Sequence, residues 1–262
     1  MSLRFPSLVL LLFSGLLLAG AQRPLRICAD PDNLPFSNRA QQGFDQRVAE
    51  LLARDLHRKP EFVWARSRRG FIREQFNKNA CDVLLGVPAG MRGVAVTQPY
   101  YASSYVFVTP ARQHLQIASF TDPNLRGRRI GLQILEENLS PPSIPLIRAG
   151  HAPQLVGFNS FGADEGSVIR AVSDGKVGVA VVWGPVAGYF AARSRTPLTL
   201  TPVSPRRDIS GTPFVYAIGM GVHQRDGALM DQLNRSIARH RPEIDRILAS
   251  YHVPRVSPEE AP

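Results

Sequence analysis

The side chains best equipped for chemistry gather in one stretch, Arg26-Ile27-Cys28-Ala29-Asp30-Pro31-Asp32-Asn33-Leu34-Pro35-Phe36-Ser37-Asn38. A thiol, two carboxylates, a carboxamide and an aromatic ring follow directly on a short apolar run. Asp30 either contacts a ligand or caps its own loop by accepting backbone N–H groups. Asn33 and Phe36 add an amide and an apolar face to the same turn. Arg68 and Arg69 precede a helical segment, where a guanidinium either reaches an anionic ligand or pairs on the surface. Tyr100 and Tyr101 are neighbours on an extended segment, so at most one of them faces a given side. Gln133 ends a later strand, and Trp183 and Tyr189 flank the start of a helix.

These residue types suit recognition better than bond-making. The six histidines are dispersed without Cys/His ligand spacing, which predicts no metal site. No G-x-S-x-G, Walker loop or G-x-G-x-x-G follows a strand, so no catalytic residues and no cofactor are assigned. An enzyme using Asp30 would need a second cleft acid or base. Cys28 and Cys81 are the only cysteines, and they form either a disulfide or two buried thiols.

The elements that position these groups alternate between strands and helices from Leu25 onward, the pattern of a mainly parallel sheet covered by helices. In such a sheet ligands bind beyond the carboxyl ends of strands, which places Asp30, Asn33 and Phe36 at a cleft. Phe44, Val48, Leu51 and Leu52 give the first helix one apolar stripe. Strands are expected at Glu61–Trp64 and Cys81–Val87, with a helix opening at Gly70 and ending near Asn79. The second strand exits through the glycine-rich loop Gly86-Val87-Pro88-Ala89-Gly90, which puts Pro88 at the same cleft. Past Ser119 the chain starts a second alternating set, including the buried strand Val177–Trp183. Two helices with stripes Leu229/Leu233/Ile237 and Ile244/Ile247/Leu248/Tyr251 finish it.

A content of 44% hydrophobic residues in 262 is ample for two modest cores. Residues 1–21 read as a secretory signal peptide: Arg4, an apolar run over Leu8–Leu18, then Ala19-Gly20-Ala21. That run is too short for a transmembrane helix of about twenty residues, so an exported, periplasmic chain starting at Gln22 is expected, without stable membrane insertion. The net charge of +10 favours acidic partners or anionic membrane faces without identifying one. The pairs Arg68-Arg69, Arg128-Arg129 and Arg206-Arg207 are scattered, without the aromatic interleaving of a nucleic-acid groove.

The order of elements resembles the two-lobed solute-binding proteins of ABC uptake systems, of the type II, two-crossover kind. This implies an α/β fold of two α/β lobes with a central cleft and two interdomain crossovers. Lobe one would comprise 22–110 with 213–262, and lobe two 111–212. Local wording is similar to the quinoprotein dehydrogenase-associated, MoxJ/XoxJ-like branch: Cys28–Asn38, Arg69-Gly70-Phe71, Cys81-Asp82-Val83, Gly86–Gly90, Gln98-Pro99-Tyr100-Tyr101 and Val182–Tyr189. The resemblance implies a periplasmic partner of a PQQ-dependent alcohol dehydrogenase of the methanol type, aiding its maturation or activation without being an enzyme. Amino-acid receptors hold a zwitterion with an Arg and a lobe-two acid. Here Arg92 is displaced by about one residue from the first position, and Trp183-Gly184 stands at the second. Trp183, Tyr100, Tyr101 and Tyr189 would instead build an amphipathic cleft for an apolar small molecule or an inserted peptide. The alternatives are an ABC solute receptor for a small organic, non-amino-acid ligand and a cleft-based lyase or dehydratase.

Overall fold

The computed structural model describes residues 23–68, 70–135, 137–160 and 164–257, so the signal-peptide reading and Arg69 lie outside the described residues. In chain order the elements are β1 (Leu25–Ala29), the hairpin β2 (Asp32–Asn33) and β3 (Ser37–Asn38), α1 (Phe44–Asp55), β4 (Pro60–Trp64), β5 (Val83–Pro88), β6 (Ala95–Val96) and β7 (Tyr101–Pro110). There follow β8 (Ile130–Leu135), β9 (Asn138–Leu139), α2 (Ser143–Arg148), β10 (Leu155–Asn159), α3 (Ser167–Ser173), β11 (Val179–Trp183), α4 (Gly184–Ala191) and β12 (Leu198–Pro202). The chain then forms β13 (Val215–Val222), α5 (Gly227–Arg239) and α6 (Arg241–Ser250).

The sheet is mixed. β1 runs parallel to β4 and β5, and β8 runs parallel to β10 and β11. β7 joins the two sets, because its ten residues are all buried and its two halves pair differently. Tyr101–Ser104 pairs antiparallel with Val215–Ile218 of β13, whereas Tyr105–Val108 pairs antiparallel with Ala180–Trp183 of β11. One strand thus runs through both lobes, and the return passes through residues 203–214 before β13.

The stripes read from periodicity are the buried ones. Phe44, Val48 and Leu52 of α1, Leu233 and Ile237 of α5, and Ile244 and Leu248 of α6 are all fully buried in one core with Leu25 and Ile27. In the second lobe the alternation of β-strand side chains feeds two cores. Phe107, Val179 and Val181 face one, while Val106, Val108, Ala180 and Val182 face the other. The helix expected from Gly70 to Asn79 is only a π-helical turn, Ile72–Phe76. Phe76 is its one buried side chain, and a single anchor does not sustain a longer amphipathic helix.

Cys28 and Cys81 are joined in a disulfide, with Cα atoms 5.5 Å apart. Cys28 faces Leu84 across the β1–β5 pair, and the chain bends before β5, where the Asp82 N–H bonds the Arg26 carbonyl. That bend swings Cys81 back against β1. Asp82 then anchors the lobe edge, paired with Arg23, Arg26 and Arg58.

Candidate functional site

A cleft of about 940 Å³ opens between the lobes, at the carboxyl ends of β1 and β5. From the first lobe Asp30, Asn33, Phe36, Arg68 and Pro88 line it, as do Phe71, Met91 and Arg92. From the second lobe come Gln133, Leu135, Glu165 and Trp183. Tyr101, Tyr105 and Tyr216 lie at the junction, so the floor is largely aromatic.

Trp183 is the centre of that floor. Its ring meets Tyr105 edge-to-face at 5.4 Å and Tyr216 at 5.7 Å, beside Tyr101. The buried Gln133 fixes the backbone below, its Oε1 accepting the Trp183 backbone N–H at 2.9 Å. A half-buried indole with its backbone fixed and its ring flanked by two others is a preformed platform for an apolar or planar group.

Asp30 lines the cleft, yet its carboxylate is occupied. Oδ1 accepts the Asp32 N–H at 3.0 Å and Oδ2 the Ser67 N–H at 2.6 Å, tying the β1 exit loop to the loop after β4. Phe36 packs on Phe44 at 5.4 Å and also touches the core of the second lobe. Asn33 and Ser37 pair across the small hairpin that presents them.

Two expected cleft residues are elsewhere. Tyr100 is fully buried beneath the floor, where its hydroxyl donates to Asp45 Oδ1 at 2.6 Å and receives the Gly86 N–H. Strand alternation sends it to the face opposite Tyr101. Tyr189 is buried in the first lobe's core, stacked on Tyr251 with the Arg193 guanidinium 3.6 Å above its ring. Its position on α4 explains this: at about 3.6 residues per turn, six residues beyond Trp183 is the helix flank turned away from the cleft.

Sequence reading missed two acids. Asp45, the first-turn acid of α1, is buried at the floor, and burial pushes its carboxyl up to about 7 against the opposing Tyr100 hydrogen bond. Glu165, on the loop before α3, is 7% exposed and lines the cleft opposite the loop of Asp30, Asp32 and Leu34. Burial, and then the carboxylates of Asp30 and Asp32, push Glu165 up to about 8. No motif marks either residue. The one available signal was Asp45 beside Gly43 at a helix start, where an acid favours the dipole whether or not it faces a ligand.

Chemically the site offers an aromatic floor, an acid held protonated at neutral pH that can donate a hydrogen bond, and two guanidinium groups at the rim, Arg68 and Arg92. Asp30 and Asp45 are each bonded to protein donors, so neither carboxylate stands free beside a nucleophile.

No protein-family model matches the chain. It is 28% identical over 247 residues to Protein MoxJ of Methylorubrum extorquens, covering 88% of this chain and 81% of that protein. The crystal structure of MxaJ from Methlophaga aminisulfidivorans superposes with a TM-score of 0.78 at 28% identity, covering 88% of this chain and 100% of that one. The periplasmic binding protein XoxJ from Methylobacterium extorquens gives a TM-score of 0.73 at 29% identity, covering 89% and 99%. The chain is thus similar to the MoxJ proteins over most of its length and shares the type II periplasmic-binding-protein fold with MxaJ and XoxJ.

Proposed function

We propose that this chain is a non-enzymatic periplasmic accessory protein that binds a PQQ-dependent, methanol-type alcohol dehydrogenase and helps it mature or become active. The reading rests on the cleft. Where a zwitterion receptor needs an acid, Trp183 stands, ringed by Tyr101, Tyr105 and Tyr216, in a space of about 940 Å³. That volume lies near the upper end for small-molecule sites, about 300 to 1,000 Å³, and an aromatic floor of this breadth suits an inserted peptide segment of a protein partner. Similarity to MoxJ and XoxJ supports the same choice of partner. A leader over residues 1–21 would deliver the chain to the periplasm. The sequence reading of lobe one as 22–110 with 213–262 and lobe two as 111–212 is here shifted a few residues earlier at its first boundary, because Tyr101–Ser104 pairs with β13 and Tyr105–Val108 with β11, which supports a crossover within β7.

The test is reconstitution of the apo-dehydrogenase with PQQ and metal, with and without the mature chain. Activity recovered faster or further with the chain, and lost with Trp183→Ala, is the expected result. Equal recovery without it would sink the proposal. A second reading, a receptor for a small organic solute, is favoured by one observation: the buried Glu165 lines the cleft opposite Asp30 and Asp32, whose carboxylates help to push its own up, so a polar group stands ready beside the aromatic floor. Native mass spectrometry of the purified chain would then show a retained small molecule.

A further inference from the structure

Among the described residues the exposed large hydrophobic side chains are Met91, Leu135, Ile144, Ile147 and Ile209. Met91 and Leu135 line the cleft, whereas the three isoleucines lie on two segments of the second lobe that the Arg148–Asp208 pair joins. α2 is pinned by the fully buried Leu146, which leaves Ile144 and Ile147 outward, 45% and 51% exposed. Ile209, 87% exposed, sits in the turn joining Arg207 and Pro213. This turn is built, since Asp208 Oδ1 accepts the Ser210 N–H at 2.7 Å, the Ser210 hydroxyl at 2.6 Å and the Thr212 N–H at 3.0 Å. Arg148, one turn beyond Ile144, donates to Asp208 Oδ2 at 3.2 Å and fastens the turn to α2. The stripe continues inward: the Ile144 N–H bonds the Pro141 carbonyl, and Pro141 lines the cleft. Residues 141, 144 and 147 thus step outward from the cleft mouth.

We infer that this face is a docking surface for a folded protein carrying an apolar pocket ringed by carboxylates. Charge decides the partner. In residues 141–150 and 203–214, which carry these isoleucines, Arg148, Arg206 and Arg207 stand against a single acid, Asp208, which Arg148 pairs with, so the two segments together carry an excess of positive charge. A second copy would bring another +10 against the same face, whereas an acidic protein is steered onto it. The rigid frame holds three branched side chains at fixed spacing, which fits a shaped pocket; a fluid lipid surface has no use for such spacing. A protein seated here would overhang the cleft mouth. The inference goes beyond the cleft reading and does not depend on what the cleft holds.

The test places a benzoylphenylalanine photo-crosslinker at Ile209, at Ile147 and, as control, at the exposed Lys78, in the mature chain mixed with periplasmic extract. The expected result is one acidic protein, identified by peptide mass spectrometry, captured at 209 and 147 but not at 78. Its yield falls severalfold from low to high salt. That protein, purified, should bind Ile209→Asp about tenfold more weakly than wild type, with the thermal midpoint of the variant unchanged because the side chain is solvent-facing. Trp183→Ala leaves the crosslink intact, which separates this surface from the cleft. Crosslinks only between copies of the chain, capture equal at Lys78, no capture, or Ile209-dependent flotation with anionic phosphatidylglycerol vesicles would each overturn it.

Discussion

The two sides of the interlobe junction use the same aromatic side chains for opposite ends. On the cleft side, Trp183 meets Tyr105 and Tyr216 and remains partly open to solvent. On the far side, Tyr189 stacks on Tyr251 under Arg193, and Tyr251 in turn meets Phe44 at 5.8 Å and seals its hydroxyl on the Gln42 carbonyl. The far side also carries a strap. After α6 the chain lies along α4 and β7, with the Ser103 hydroxyl on the Pro254 carbonyl and the Val256 N–H on the Ala102 carbonyl. One helix separates the two environments, so rings on one flank line the cleft while rings on the other join the lobes. The cleft can therefore be wide without the lobes being loose.

The sharpest way to break this contrast is on the strap. A Cβ at Gly188 would come within 1.9 Å of the His252 carbonyl oxygen, a backbone atom with little room to yield. Gly188→Ala should cost about 3 kcal/mol of stability, as overpacking against a fixed neighbour does, read as a lowered denaturant midpoint. A matching change on the cleft side, Trp183→Ala, would by contrast strike binding first.

A finer test compares two adjacent tyrosines. Tyr100→Phe leaves the buried Asp45 without its hydroxyl donor and the Gly86 N–H without an acceptor, and should cost about 2 kcal/mol. Tyr101→Phe removes a hydroxyl at the cleft floor that holds no buried carboxyl group, and should cost less than about 1 kcal/mol. Equal losses in urea unfolding would erase the distinction between buried and cleft-facing hydroxyls.

The smallest effect is in pH dependence. Glu165 binds its proton more tightly folded than unfolded, with a folded value of about 8. Its contribution is therefore complete below the ordinary glutamate range and is lost as pH climbs through about 8. Deprotonation also sets it against Asp30 and Asp32 on the opposite lobe. Thermal midpoints between pH 5 and 9 should fall with pH in the wild type and fall less in Glu165→Gln. Asp45, at about 7, keeps a residual slope in the variant that ends earlier. Parallel curves would show that burial does not raise the proton affinity of Glu165 in the folded chain.

Much of the frame was legible because periodicity reports burial directly. The α1, α5 and α6 stripes are the core of the first lobe, and the β11 run is buried on both faces of the second. Strand-end position was enough to bring Asp30, Asn33, Phe36, Arg68, Pro88, Tyr101, Gln133 and Trp183 to one cleft. α2 was not legible, since six residues containing Pro145 are too short for a helical period to declare itself.

By itself, the sequence determined the alternating α/β order, the apolar stripes, the polar turns at strand ends and the excess of positive charge, because each is written in neighbouring residues. Tertiary structure decided which Tyr of the pair at 100 and 101 lines the cleft, that Tyr189 faces away from Trp183, that Cys81 swings onto Cys28, and that Glu165 is buried opposite Asp30 and Asp32. Each of those outcomes depends on segments far apart in the chain meeting at one place, and the physical cause is burial against partners that no local spacing encodes.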